Sequence, residues 1–179
     1  MNIYDYSVKD AEGHDFPLKN LEGKVVVIVN TATGCGFTPQ YKDLEAMYEK
    51  YHEKGLEILD IPCNQFKEQA PGSNAEIRKF CELYFGTQFA QMDKSCVNGA
   101  EQLPLYKYLK SQQGFKGFTG PKAEKMNGLL ATIDPDFKNN PDIKWNFTKF
   151  IVNRKGEVTA RFEPTAEMAE VEKFVTELL

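Results

Sequence analysis

A single thiol, Cys35, stands between Gly34 and Gly36 in the stretch TATGCGFT, straight after the apolar run KVVVIVN and ahead of Pro39. A cysteine does nucleophilic or redox work as its thiolate. At an ordinary pKa of about 8.5, only roughly 3% of the thiol is ionised near neutrality. Lowering that pKa by about two units requires about 2.7 kcal/mol. A helix N-terminus supplies about 0.3 to 1 kcal/mol. Charge-assisted hydrogen bonds, at about 1.5 to 3 kcal/mol each, must supply the rest. The flanking glycines let backbone N–H groups turn toward the sulfur and let a small substrate approach. The same spacing also suits a tight strand-to-helix turn around an inert cysteine, and spacing alone divides evenly between the two readings.

Two further stretches carry the uncharged N–H donors that a thiolate needs. PCNQF places Asn64 and Gln65 just past an expected strand, and KWNF places the only tryptophan, Trp145, beside Asn146. Taken singly, each has an ordinary reading, since tryptophan is mostly core and amides are common in loops. The other cysteines, Cys63, Cys81 and Cys96, form no C-x-x-C pair with Cys35 or with one another. Zinc and a dithiol oxidoreductase motif are therefore not expected. The two histidines, His14 and His52, fall outside these stretches, which leaves a Cys–His hydrolase unsupported.

The elements that must hold these residues follow from pattern. With 41% hydrophobic and 27% charged residues, the 179-residue chain suits one domain, residues 1–179, with a real core. A net charge of −4 without charge blocks argues against nucleic acid. No apolar run reaches the roughly 18 residues of a membrane span, so no membrane anchor is expected. The N-terminus MNIYDYSVKD lacks a secretory pattern, so a cytoplasmic location is expected. YSVKDAEGHDFPL reads as a hairpin, and Val25 to Val29 as a strand buried on both faces. Thr38 is expected to cap a helix that opens at Pro39, carries Tyr41, Leu44, Tyr48 and Tyr51 inward, and stops at Gly55. LEILDIP then completes a βαβ unit. Ser73 and Glu76 have capping-box spacing ahead of a helix with Ile77, Phe80, Cys81, Tyr84 and Phe85 on one apolar face, ending at Gly86. Leu103 to Leu109 reads as another helix. Ser111 to Lys144 reads as a long surface loop with a short ordered piece. WNFTKFIVNRKGEVTARF is a further hairpin, and Thr165 opens a terminal helix. This order describes an α/β thioredoxin-like sandwich, a central mixed β-sheet flanked by helices, with an N-terminal β-hairpin.

NTATGCGFT, PCNQFKEQAPG and KWNFTKFIVNRKGE closely resemble, in order, the three signature stretches of the glutathione peroxidase family. The resemblance runs nearly the whole chain. It implies a thioredoxin fold and reduction of hydrogen peroxide or organic hydroperoxides without metal or cofactor. By matching positions, Cys35 is the peroxidatic residue, and Gln65, Trp145 and Asn146 complete a catalytic tetrad. Thr38 takes the place of the second cysteine of a thioredoxin. Cys81 matches the resolving cysteine of the thioredoxin-dependent branch, which implies a Cys35–Cys81 disulfide reduced by thioredoxin. Cys63 matches a family cysteine that does not usually resolve, and Cys96 matches no motif. The chain departs from the family at Thr33, Lys67 and Ala70, where serine, glycine and glutamate are usual. Lys67 bears directly on the loop that places Gln65.

Other readings stay open at this level. One is a one-cysteine or selenocysteine-derived peroxidase that takes electrons from glutathione. Another is a peroxide sensor that relays oxidation from Cys35 to a partner protein. A catalytically silent thioredoxin-like module is a third, although all four tetrad positions are present.

Overall fold

Val25 to Val29 supply five consecutive β-branched side chains, whose stiff χ1 favours extended backbone. In the computed structural model, which describes all 179 residues, they lie in β3 (Val25–Thr31), and every residue of that strand is buried. β3 pairs in parallel with β4 (Leu56–Pro62), from Val25 opposite Leu56 to Thr31 opposite Pro62. On its other side it pairs antiparallel with β5 (Lys149–Val152), which pairs antiparallel with β6 (Val158–Phe162). The strand order β4-β3-β5-β6 makes a mixed sheet. Its central strands β3 and β5 are buried along their whole length because helices cover the sheet.

The parallel pair requires a crossover, and α1 (Gln40–Tyr51) provides it, packing on β4. α2 (Asn74–Phe85) and α5 (Met168–Leu178) contact α1. α3 (Pro104–Gln112) reaches the sheet through Tyr106, edge-on to Phe150 at 6.2 Å between ring centres. β1 (Ser7–Lys9) and β2 (Asp15–Pro17) form the separate antiparallel hairpin expected from the sequence. One continuous cluster of 42 buried apolar residues joins these layers.

The segment after α3 is more ordered than its composition suggests. It contains an 11-residue helix, α4 (Ala123–Ile133), and a Phe115–Phe118–Phe137 cluster with ring centres 5.0 to 6.2 Å apart. Arg161 of β6 ties this segment down, donating to the carbonyls of Pro141 and Asp142. No helix is long and apolar enough to cross a membrane.

Three local expectations are corrected. Thr38 does not cap α1: its hydroxyl donates to the Ala32 carbonyl and accepts from Cys35 N–H, so it closes the preceding loop, and the helix begins at Gln40. Thr165 does not open α5, which starts at Met168 after Glu167. The chain is still turning at Thr165, because Ala166 N–H bonds the Glu163 carbonyl and the Gln40 amide holds the Pro164 carbonyl. Tyr84 is 66% exposed, its ring tilted against Phe80 rather than packed in the core.

α2 carries Cys81, and its ends are marked as the sequence predicts. Ser73 accepts from Glu76 N–H at 3.2 Å, and the Glu76 carboxylate accepts from Ser73 N–H at 3.1 Å. Gly86, at φ +59°, ends the helix in the left-handed conformation that glycine adopts freely. Ser73→Ala is expected to lower global stability by about 1 kcal/mol. A urea midpoint shift with an unchanged m value measures it, and an unshifted midpoint would remove the cap from the account.

Candidate active site

β3 ends at Thr31, and the chain then winds through a tight loop that presents Cys35 at the carboxyl end of the strand, where open α/β sheets place their ligand sites. Thr38 fixes the loop through the two bonds that displaced it from the cap. Gly34 N–H donates to the Gln69 carbonyl at 2.8 Å, and a Cβ on Gly34 would sit 3.3 Å from that oxygen. The glycine therefore permits a close approach between two loops. Cys35 itself is 7% exposed, and Phe37 N–H points at its sulfur from 3.3 Å.

Trp145 and Asn146 arrive on the turn that leads into β5. Phe147 N–H bonds the Asn30 carbonyl at 2.6 Å, and the Asn30 side chain donates to the Trp145 carbonyl at 3.3 Å. Phe147 adopts φ +71° while fully buried, with its ring edge-on to Tyr41 at 5.3 Å. A bulky residue is a strained occupant of that region. Trp145 and Asn146 immediately precede it, and their side-chain N–H groups stand close enough to Cys35 to lower its pKa.

The amide that joins this group is Gln69, not Gln65. The Gln65 carbonyl oxygen accepts from Val97 N–H at 2.7 Å and Asn98 N–H at 3.1 Å, and its NH2 donates to the Asn98 carbonyl. Its amide is fully engaged in holding the 97–98 segment. Between the two glutamines, Lys67 at φ +54° and Glu68 at φ +52° bend the loop back. Gln69 thereby receives a hydrogen bond from Asn146 Nδ2 at 3.3 Å. Lys67, where the family usually has glycine, thus sits in a conformation glycine would take without strain. The NQFKEQ stretch contains both glutamines; the left-handed pair decides which of them meets Asn146.

Burial lifts the Cys35 thiol above its ordinary value, while Phe37 N–H, Trp145, Asn146 and Thr38 N–H pull it back down. All four donors are neutral. One buried cation stands nearby: Lys149, on β5, is fully buried and donates to Gln40 at the start of α1. Burial pushes its ammonium down to about 7, against the attraction of Glu163, Asp43 and Cys35. Lys149 was not singled out from sequence because a lysine inside a strand ordinarily faces water. A cavity of about 210 Å³ opens beside the cysteine loop, lined by Phe37, Gln69 and Trp145 and walled by Lys122, Met126 and Leu129 from the α4 region. The segment after Ser111 therefore borders the site.

Cys81 is elsewhere. It is 2% exposed on the inner face of α2, beside Tyr41 and Asp60, and burial with the Asp60 charge pushes its thiol up to about 12. Cys35 and Cys81 are separate free thiols. Cys63 is buried, donates to the Gln65 amide oxygen at 3.5 Å, and is raised to about 11 chiefly by burial, which fits a packing role. Cys96 is partly exposed and free. Among the carboxylates, cysteines and histidines, no group of three is arranged to hold a metal ion.

A family model described as glutathione peroxidase matches residues 3–110. A glutathione peroxidase homolog of Neisseria meningitidis is 49% identical over 186 residues, covering all of both chains. A glutathione peroxidase-like peroxiredoxin of Saccharomyces cerevisiae is 42% identical over 178 residues, covering 99% of this chain and 96% of the relative. The crystal structure of T. cruzi GPX1 superposes with a TM-score of 0.72 at 31% identity, covering 99% of this chain and 96% of that one. A thioredoxin-family thiol:disulfide interchange protein from Chlorobium tepidum, at 15% identity and a TM-score of 0.59 over 97% of this chain and 92% of that one, shares the fold.

The hydrogen bonds separate the two glutamines experimentally. Trp145→Phe and Asn146→Ala should each slow alkylation of Cys35 near neutral pH by roughly tenfold or more, the effect of losing one charge-assisted bond. Gln69→Ala should slow it less, through a less firmly held Asn146. Gln65→Ala should leave Cys35 reactivity unchanged and lower stability by about 1 to 3 kcal/mol through the two orphaned N–H groups. A Gln65→Ala protein with slowed alkylation and unaltered stability would reverse the assignment.

Proposed function

Because the chain belongs to the glutathione peroxidase family, we propose that it reduces hydroperoxides through Cys35 as one peroxidase unit spanning residues 1–179. The observation that carries this reading is one buried sulfur that accepts from Phe37 N–H at 3.3 Å and whose pKa is pulled down by neutral groups of Phe37, Trp145, Asn146 and Thr38. The Cys35 thiolate attacks one peroxide oxygen and the O–O bond breaks. The departing oxygen takes a proton to leave as water or alcohol, and the sulfur becomes a sulfenic acid. Dipoles already aimed at the sulfur need no reorganisation as charge moves off it. The cavity walled by α4 admits the substrate, with Lys122 and Lys125 at its edge and Met126 and Leu129 as its apolar part.

Cys81 resolves the sulfenic acid. Its sulfur attacks that of Cys35, the hydroxyl leaves as water with the Cys81 proton, and a Cys35–Cys81 disulfide forms. A dithiol such as thioredoxin then restores both thiols while becoming a disulfide itself. On this reading α2 unwinds locally and carries Cys81 from its seat beside Tyr41 to within the roughly 7 Å between Cα atoms that a disulfide needs. A reducing compartment, the cytoplasm, suits a protein that returns to two free thiols after each turnover. The second reading, in which glutathione reduces Cys35 directly, draws support from the depth at which Cys81 is buried, 2% exposed.

Peptide mapping by mass spectrometry after one equivalent of hydrogen peroxide separates the two. A Cys35–Cys81 linkage is expected in the wild type and is lost in Cys35→Ser. Cys81→Ser should still consume one equivalent of peroxide yet lose thioredoxin-supported turnover. Cys35 trapped as a sulfenic acid with Cys81 free, and full turnover by glutathione, would favour the second reading.

A further inference from the structure

Asp60 is a carboxyl group that the peroxide chemistry does not use. It lies on β4 next to the strand end, is 2% exposed, and takes part in no ion pair within salt-bridge distance. Its hydrogen bonds come from two neutral hydroxyls, Thr31 Oγ1 on β3 and Tyr41 OH on α1, the latter at 3.2 and 3.4 Å. A carboxylate has about four acceptor sites, so two hydroxyls replace only part of its hydration. α2 roofs the group: Cys81 lies against Tyr41 and Asp60, and Phe85 packs on the Tyr41 ring at 5.5 Å. A cavity of about 310 Å³ reaches Asp60 from outside, walled by Arg78 and Glu82 of α2, by Asp10 and Glu12 of the hairpin turn, and by the 87–92 segment. Tyr106 of α3 also feels the Asp60 charge.

We propose that Asp60 is a positioning residue that controls the undocking of α2, its negative charge favouring the opened helix that delivers Cys81 to Cys35. The inference rests on the Cys81 reading above. The carboxylate is poorly solvated while α2 covers it, and lifting the helix removes the cavity wall that Arg78 and Glu82 supply and hydrates it.

Burial raises the Asp60 carboxyl to about 7 in the docked state, with Thr31 and Tyr41 pulling it down. Freed to water it would titrate near 3.9. Protonation therefore favours the docked helix. Below about pH 4 the group is neutral in both states and biases neither. Between about pH 4 and pH 7 the docked state is penalised by up to tenfold per pH unit, and above about 7 the bias is complete. The same charge opposes a Cys81 thiolate in place, so ionising both groups also drives the helix open.

Two rates test this, each in wild type, Asp60→Asn and Tyr41→Phe. The first is labelling of Cys81 by a thiol reagent in fully reduced protein carrying Cys35→Ser, resolved by peptide mass, which reports α2 opening without any peroxide step. The second is formation of the Cys35–Cys81 disulfide after one equivalent of hydrogen peroxide in protein with Cys35 intact. The ratio of wild type to Asp60→Asn in both rates should rise at least tenfold between about pH 5 and about pH 8, then level off. Tyr41→Phe removes a donor from the carboxylate and should open faster than wild type at about pH 8. A merely structural role predicts the reverse sign for Asp60→Asn, since a loosened core would label faster. Equal rates in wild type and Asp60→Asn, or faster opening in the variant, overturn the proposal. If labelling follows the expected profile but no Cys35–Cys81 disulfide forms in wild type, the resolving reading fails, and the role of Asp60 in delivering Cys81 falls with it.

Discussion

The bond from Phe147 N–H to the Asn30 carbonyl, 2.6 Å long and reinforced by the Asn30 side chain on the Trp145 carbonyl, joins the two halves of the site. It ties the end of β3, which launches the Cys35 loop, to the turn that launches β5. Each tie is inside the core, where an unpaired backbone group is costly, so the turn cannot relax without exposing polar atoms. Phe147 absorbs the constraint in a left-handed backbone that its own packing against Tyr41 holds in place. The strain sits one residue beyond Asn146, in the turn that holds Trp145 and Asn146 near a sulfur that lies in another segment.

The choice of neutral donors follows from the same burial. A cation paired directly with Cys35 would stabilise its thiolate more strongly, but it would also hold the charge in place when the sulfur must pass electrons to oxygen. Neutral N–H groups serve thiolate, transition state and sulfenate alike. Lys149 stands within electrostatic reach of Cys35 and donates to Gln40 in the first turn of α1, at a depth that lowers its own pKa to about 7.

The architecture was largely legible. A β-branched run, a capping box, stop glycines and the NRKG turn each have a local cause, and β3, α2 and the β5–β6 hairpin formed where those causes lay. Cys35, Trp145 and Asn146 were legible as types of donor and acceptor. Gln69 was not, since two glutamines four residues apart differ only in where a loop bends, and the bend lies in the left-handed φ values of Lys67 and Glu68. Thr38 and Thr165 misled for a related reason: a threonine ahead of a helix can cap it, but neighbouring loops offered Thr38 two nearer partners and kept Thr165 within a turn. Asp60 and Lys149 sit inside strands whose pattern is otherwise apolar, so only the packed structure shows that their charges are enclosed.

The capping box at Ser73 and the left-handed stop at Gly86 also bear on time. A 12-residue helix depends on packing for its stability, but one whose start and end are encoded in its own sequence relaxes between coil and helix on the order of a microsecond or less. Diffusional meeting with a partner protein, even at about 10⁶ M⁻¹s⁻¹ and micromolar concentration, takes about a second. On the proposed resolving route, rewinding α2 is therefore fast beside such an encounter, and the arrival of the reductant sets the pace of recovery.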